Sequence, residues 1–470
     1  AESLRDCQTL LLIERSSKCP SQKHVAPLFT IHPHDDPSIP ISIHLSTSLL
    51  PVLPTGENSG SEIGIRYPLW LGEQTVYATV MSKKMDRIYL DNAATSWPKP
   101  NSVYDAVDRW MRELGAPAGR SSYGEAEEVE RLVGQSRNRT AQLIGCTDSR
   151  RIIFTQNGTD SLNLALHGAL RPGDHVITTV AEHNSVLRPL RQWEKSGLCE
   201  VTRLPVDGSG IVNPDDVSAA IRPNTAIIAI VHVSNVTGAI QPIREIGELA
   251  KRREIRYLVD AAQSLGQLPV DVNEIQASLL AAPAHKGLLA PLGLGILYVA
   301  EGVESHLMPT RQGGTGTESE SDIQPTELPA RYESGNHNVP AIIGLNEGVK
   351  FLQQQGIEAI RDHHRQLTDR LIAGLLDIPG ITVYGPADGN QRAGVVSINC
   401  SDYDPRELAS LLDSAFGVQV RAGLHCAPLM HKQLGTASSG GTVRFSVGNF
   451  NTLDQIECTV EAVKEIACAD

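Results

Sequence analysis

Tyr257-Leu258-Val259-Asp260-Ala261-Ala262-Gln263-Ser264 is the stretch on which the fold turns. Three apolar or aromatic residues run without interruption into a carboxylate. A short run of this kind reads as a strand covered on both faces by helices. Upstream, similar runs alternate with segments of helical spacing. Strands are predicted at 151–155, 175–180, 200–205, 226–233 and 256–260, and helices at 159–170, 185–195, 214–221 and 242–252. Such alternation means right-handed βαβ units and a mainly parallel sheet. Two helices precede it, at 101–115 and 124–145, the first ending at Gly115. Downstream, 313–335 is rich in Gly, Glu, Ser and Pro and reads as a long loop. Helices follow at 340–355 and 360–376, and 380–455 has the mixed pattern of a smaller α+β unit. The expected class is α/β: an N-terminal segment at 85–100, a large domain at 101–339 and a small C-terminal domain at 340–470. The stretch 31–60, rich in Pro, Ser, His and Thr, shows no sustained period, and residues 1–84 are expected to be a disordered extension or sequence translated from upstream of the true start, with a transit peptide or a partner-binding arm as the alternatives.

Composition narrows the function classes. The chain has 470 residues, enough for two or three domains, and a formal net charge of −13. That charge opposes phosphate backbones and anionic lipid, so neither nucleic acid nor membrane is an expected partner. No run of about 18 apolar residues is present to span a bilayer. The eight cysteines are scattered, without a C-x-x-C pair or zinc spacing. A disulfide framework is not expected at this length, and a reducing compartment fits better.

Four segments carry candidate chemistry, each with a plainer reading beside it. Ala284-His285-Lys286-Gly287 precedes the Gly-rich Pro291-Leu292-Gly293-Leu294-Gly295. A Schiff-base lysine must lie near an aldehyde and lose its proton readily; alone, Lys286 reads as a solvated surface lysine. Asp260 stands where ligands collect in open α/β sheets, at the carboxyl end of a strand, and could hold a cofactor ring nitrogen protonated. It equally fits a capping box with Gln263. Phe154-Thr155-Gln156-Asn157-Gly158-Thr159-Asp160-Ser161 turns from strand through Gly158 into a helix whose free N–H groups suit phosphate, or is an ordinary capped turn. In Ala181-Glu182-His183-Asn184-Ser185, His183 could stack on a flat ring, or be structural.

Taken together, these segments resemble a known family. Met85-Asp86-Arg87-Ile88-Tyr89-Leu90-Asp91-Asn92-Ala93-Ala94-Thr95 resembles the opening of class V aminotransferase-fold proteins. The phosphate turn, E-H-N-S at 182–185, V-S-N-V-T-G at 233–238, V-D-A-A-Q-S at 259–264 and H-K-G at 285–287 then follow in the order found in cysteine desulfurases and selenocysteine lyases. The resemblance covers about residues 85–465. It implies the PLP-dependent transferase fold type I, aspartate aminotransferase-like, with pyridoxal 5′-phosphate (PLP) as cofactor. Lys286 would carry PLP as a Schiff base. Asp260 would pair with its ring nitrogen, Gln263 with its phenolic oxygen, and His183 would stack on the ring. Gly158, Thr159 and His285 would hold phosphate, and Thr315 would reach phosphate across a homodimer interface. Asn92, Ala93, Asn235 and Arg444 would bind substrate, the planar fork of Arg444 matching a carboxylate.

The reaction rests on Arg421-Ala422-Gly423-Leu424-His425-Cys426-Ala427. It is similar to the R-x-G-x-H-C-A element of SUF-type, or group II, cysteine desulfurases, although free cysteines are often buried and inert. The resemblance implies conversion of L-cysteine to L-alanine, with sulfur carried as a persulfide on Cys426 to an acceptor protein in the cytoplasm, as in iron–sulfur cluster assembly. His183 would shuttle the substrate thiol proton. Pro283-Ala284 stands where group II enzymes usually carry Ser-Gly, and Leu424 where His is common. Selenocysteine lyase shares nearly all these residues, and a PLP-dependent lyase or epimerase of the same fold would not need Cys426. A non-catalytic scaffold would not need Lys286 and Asp260 together.

Overall fold

The computed structural model describes residues 28–29, 62–71, 74–83, 87–119, 121–317 and 320–468. The chain divides into two units at Arg87. In the first, β1 (Leu28–Phe29) pairs antiparallel with β3 (Gln74–Lys83), and β3 pairs antiparallel with β2 (Glu62–Leu71) along its whole length. These strands correct the expectation of an unstructured extension where they lie. The rest of 1–84 falls outside the described residues. The missed signal is the period-2 placement of Ile63, Ile65, Tyr67, Leu69 and Leu71, with two residues between the strands, a hairpin spacing.

The second unit opens with β4 (Ile88–Tyr89). Helix α1 (Asn101–Arg109) follows and runs through a π turn, Trp110–Leu114, to a left-handed Gly115. After α2 (Gly124–Leu143) come β5 (Ile152–Thr155), α3 (Gly158–Ala169), β6 (Asp174–Thr179), α4 (Asn184–Lys195), β7 (Cys199–Leu204), α5 (Pro214–Ala219), β8 (Thr225–Val231), α6 (Ile243–Arg252) and β9 (Arg256–Asp260). The predicted alternation holds to within a few residues. Two strands carry it further, β10 (Leu279–Pro283) and β11 (Gly295–Val299). The sheet order is β5-β11-β10-β9-β8-β6-β7. Strands β10, β9, β8, β6 and β7 pair parallel, while β11 runs antiparallel between β5 and β10. Both faces are apolar. Ile153, Leu166, Leu190, Ala229, Leu258 and Leu297 pack on one side, and Val133, Ile177, Ile228, Ile246, Val259 and Ile296 on the other.

Helices α7 (Val339–Gln355) and α8 (Ile357–Leu376) leave the sheet. The buried face of α7, Ala341, Ile342, Leu345 and Val349, joins the core shared with the sheet, and α7 packs on α1 and α2. It therefore packs with the large domain, although the spacing places it at the head of the small one. The small domain is an antiparallel sheet of β12 (Ile381–Tyr384), β13 (Val395–Cys400), β16 (Thr442–Ser446) and β15 (Arg421–Gly423), in that order. Helices α8 and α9 (Pro405–Phe416) pack on it, α11 (Leu453–Ala467) packs on those two helices, and α10 (Pro428–Gln433) follows the Cys426 turn. Strand β14 (Val418–Gln419) pairs parallel with β4, so the N-terminal segment is stitched to the C-terminal domain. Cys146, Cys199, Cys400, Cys426 and Cys468 are free thiols, whereas Cys458 is disulfide-bonded. The cysteines are thus not all free. Among the described residues no helix is long and apolar enough to cross a membrane.

Candidate active site

The carboxyl ends of β5, β6, β8, β9 and β10 each deliver a predicted site segment. Asp260 is the last residue of β9 and is buried. Its Oδ1 accepts the Ala262 N–H at 2.9 Å, and Oδ2 has no hydrogen bond among the described residues. Burial pushes its carboxyl up from the ordinary value, opposed by the Ala262 N–H and by Lys286. A cationic partner on Oδ2 would restore the ionised form.

Lys286 sits in the return between β10 and β11. This return is closed by Ala284 N–H to the Leu294 carbonyl (2.9 Å) and Leu289 N–H to the Lys286 carbonyl (2.9 Å), with Leu289 left-handed at φ 61°. Gly287 has to be glycine: a Cβ there would lie 2.3 Å from the Leu265 carbonyl oxygen. Burial, then Arg444, brings the Lys286 ammonium down to about 8, partly offset by Asp260. The lysine is thus ready to give up a proton near neutral pH. The His285 carbonyl accepts from Ser96 N–H, Ser96 Oγ and Thr95 Oγ1 at 3.1–3.2 Å. Its ring Nδ1 is buried without a partner, and burial holds the ring at about 4.

At the start of α3 the Asn157 side chain caps the Asp160 N–H (2.9 Å). The N–H groups of Gly158 and Thr159 then have no acceptor among the described residues, the usual state of a helix start and one suited to phosphate. Gly158 lies against Pro283, whose Cδ would be 2.9 Å from a Cβ at 158. Proline at 283 therefore fills the room beside the turn. Thr159 Oγ1 bonds Ser185 Oγ (2.8 Å), and Ser185 Oγ bonds His183 Nδ1 (2.8 Å). Nδ1 also accepts the Ser185 N–H (3.0 Å) as the N-cap of α4, so the neutral ring carries its proton on Nε2. Burial, then Lys286, holds His183 at about 4.

The small domain supplies the other wall. Buried Arg444 on β16 donates from Nη2 to Asp91 Oδ1 (2.7 Å) and from Nη1 to the Asn235 carbonyl (3.2 Å). Asn235 Nδ2 donates to the His425 carbonyl (2.5 Å). Arg421, opposite Arg444 in the β15–β16 register, places Nη2 3.5 Å from Cys426 Sγ. The Cys426 carbonyl accepts the Asn184 N–H at 2.7 Å. His425 and Cys426 are consecutive left-handed residues, φ 47° and 61°, a costly conformation for non-glycine residues that clusters at functional sites.

Most predicted residues thus meet. Gln263 Nε2 donates to the Ala93 carbonyl (3.0 Å). Asn92 joins β4 to β16 through the Ser446 carbonyl (3.0 Å) and Asn451 Oδ1 (3.3 Å). Thr315 is the exception. Its hydroxyl bonds Thr317 in its own loop and none of the residues around Lys286. Sequence reasoning assigned no role to Asp91, Ser185, Arg421 or Glu182, although all four lie inside the quoted motifs. Glu182 is buried, accepts from Thr179 Oγ1 (2.8 Å) and Val231 N–H (3.1 Å), and is pushed up to about 8 by burial.

The unpaired Asp260 Oδ2, the orphaned His285 Nδ1, the bare N–H groups of α3 and the readily deprotonated Lys286 fit a flat, phosphorylated aldehyde with a protonated ring nitrogen. Comparison with known proteins places the chain in a family. The family model "Aminotransferase class-V" matches residues 88–458. A probable cysteine desulfurase of Methanothermobacter thermautotrophicus is 35% identical over 386 residues, 81% of this chain and 95% of the relative. The cysteine desulfurase of Haloferax volcanii is 31% identical, over 80% of this chain and 88% of the relative. Among solved structures, the apo cysteine desulfurase from Thermococcus onnurineus superposes with a TM-score of 0.76 at 32% identity, covering 81% of this chain and 94% of that one.

Proposed function

From the premise that this chain belongs to the class-V aminotransferase family, in its cysteine desulfurase branch, we propose that it takes sulfur from L-cysteine with PLP as cofactor and Cys426 as sulfur carrier. The observation that carries this reading is the Asn184 N–H to Cys426 carbonyl bond, which ties the backbone of Cys426, in the small domain, to the residue that follows His183. When bound, PLP supplies an aldehyde for Lys286 and an electron sink for the substrate Cα. Asp260 would pair with the ring nitrogen, His183 would stack on the ring, Gln263 would pair with the phenolic oxygen, and the start of α3 with His285 would hold phosphate. Arg444 and Asn235 bind the substrate carboxylate, with Asn92 and Ala93 shaping that end of the cleft.

Lys286, with its lowered affinity for protons, takes the Cα proton and returns one to carbon. His183, neutral with its proton on Nε2, would donate a hydrogen bond from that nitrogen to the substrate sulfur. The Cys426 sulfur bonds to the substrate sulfur as the carbon–sulfur bond breaks. The electron pair of that bond stays with carbon, which is protonated to give L-alanine. Cys426 is left as a persulfide, with Arg421 facing its Sγ. We further propose a homodimer in which the Thr315 loop, not engaged in its own site, completes the partner's. An acceptor protein would then collect the sulfur in the cytoplasm.

The test is release of alanine and sulfide from L-cysteine with a thiol reductant. Lys286→Ala and Cys426→Ala should each lower turnover by roughly a thousandfold or more. Cys426→Ala should retain the visible absorption of bound cofactor. Full activity in Cys426→Ala would reject the persulfide route, and faster turnover of selenocysteine would reassign the substrate.

A further inference from the structure

The side chains that Proposed function assigns to the substrate carboxylate are already engaged. Asp91 holds Arg444 Nη2 at 2.7 Å, and the His425 carbonyl holds the Asn235 amide. Asp91 is carried there by register. It bridges Ser446 on β16, whose N–H donates to the Leu90 carbonyl (2.7 Å) and whose Oγ accepts the Ala93 N–H (2.9 Å). Arg444 lies two residues earlier on the same strand. Its Nε is buried without a partner, so the guanidinium still has a donor to offer.

The two members of the pair differ in freedom. The Arg444 side chain is 1% exposed and cannot leave, whereas Asp91 is 21% exposed and its Oδ2 has no hydrogen bond among the described residues. Asp91 can turn to water, and Arg444 cannot follow. A carboxylate entering the Arg444 fork meets the Asp91 carboxylate on the same cation, and two carboxylates sharing one site repel. We propose that Asp91 is an internal stand-in for the substrate carboxylate. It neutralises Arg444 in the resting site, is displaced when the amino acid binds, and so sets substrate affinity. This rests on the reading of Arg444 as the carboxylate anchor.

The device also selects ligands. Asp91 is tethered, so its effective concentration at Arg444 is high. A simple monocarboxylate must win Arg444 alone and loses. An amino acid has a second attachment through its amine and can displace Asp91.

The test uses PLP-loaded protein carrying Cys426→Ala, so that ligands bind without sulfur transfer. L-alanine and propionate are titrated by calorimetry, and L-alanine also by the change in visible absorption. Asp91→Asn should tighten both ligands by about tenfold, the size of one exchanged charge-assisted hydrogen bond. In protein with Cys426 intact it should lower KM for L-cysteine. Asp91→Ser should do the same, which covers any misfolding of the first variant. Arg444→Lys is measured in parallel and should weaken L-alanine. Unchanged or weaker binding in both Asp91 variants, with Arg444→Lys impaired, overturns the stand-in role alone. No effect in Arg444→Lys overturns the anchor reading beneath it.

Discussion

Asp260 ends and Lys286 follows neighbouring strands of a seven-stranded sheet whose β9 and β10 are almost wholly buried, whereas Cys426 follows a three-residue strand at the edge of a four-stranded one. The first pair is placed by packing: strand ends cannot shift without disturbing a close-packed core. The thiol is placed by a few hydrogen bonds to the carbonyls of His425 and Cys426, on two residues in an unfavourable backbone region. The difference suits the proposed chemistry. A cofactor needs a fixed seat, while a sulfur carrier has to receive its cargo on one side and present it on another.

The comparison predicts that damage to the two sides separates by readout. Among changes that leave Lys286 and Cys426 in place, the largest effect is expected at Asp260. Asp260→Asn removes the counter-charge for a ring nitrogen and should lower kcat/KM by roughly 10²–10³-fold, with an altered visible spectrum, since charge stabilisation at a reacting centre is commonly worth that much. A spectrum identical to wild type would break the assignment. Arg421→Met should cost less, about tenfold, in the range of one charge-assisted contact. It should leave the spectrum unchanged while slowing persulfide formation, followed by mass spectrometry of Cys426. A spectral change there would mean that the two sides are not separate.

Acid should strike both sides. Burial holds His183, His232 and His285 in the large domain, and His364 and His431 in the small one, at about 4. Unfolded, each titrates near 6.5. Their neutral folded forms therefore contribute stability that is complete above about 6.5 and is lost as pH falls toward 4. Glu182, raised to about 8, and Asp260, raised as well, bind protons more tightly when folded and work in the opposite direction. Five histidines outweigh two carboxyls, so the thermal midpoint should fall between pH 6.5 and 4.5. A flat or rising midpoint would contradict this, and loss of one domain before the other would sharpen the contrast between them.

Much of the large domain is legible in sequence because each parallel strand is a local apolar run. Strands β10 and β11 are not. The return that carries Lys286 looks like loop, and the strand after it runs antiparallel to both of its neighbours, β10 and β5. The pairing of β4 with β14 joins residues more than 300 positions apart, and no local pattern announces it. The site divides the same way. Lys286, Asp260, His183 and Cys426 lie in motifs that follow strands. The Asp91 ion pair depends on register between strands far apart in sequence, and the Arg421 contact on the left-handed turn at His425 and Cys426. Helix α7 has a clear helical period, but period cannot say which core its face will enter.

The bond from the Asn184 N–H to the Cys426 carbonyl is made of two peptide groups. Ordinary side-chain replacement at 184 or 426 leaves both groups in place, so drift in sequence can retune the chemistry around the thiol without unfastening it. Proline alone lacks the donor. Position 184 is the first residue of α4, where proline is well tolerated, and His183 before it is already extended at φ −69° and ψ 155°. The latch is thus robust to nineteen residue types and vulnerable to the one that the helix itself would accept.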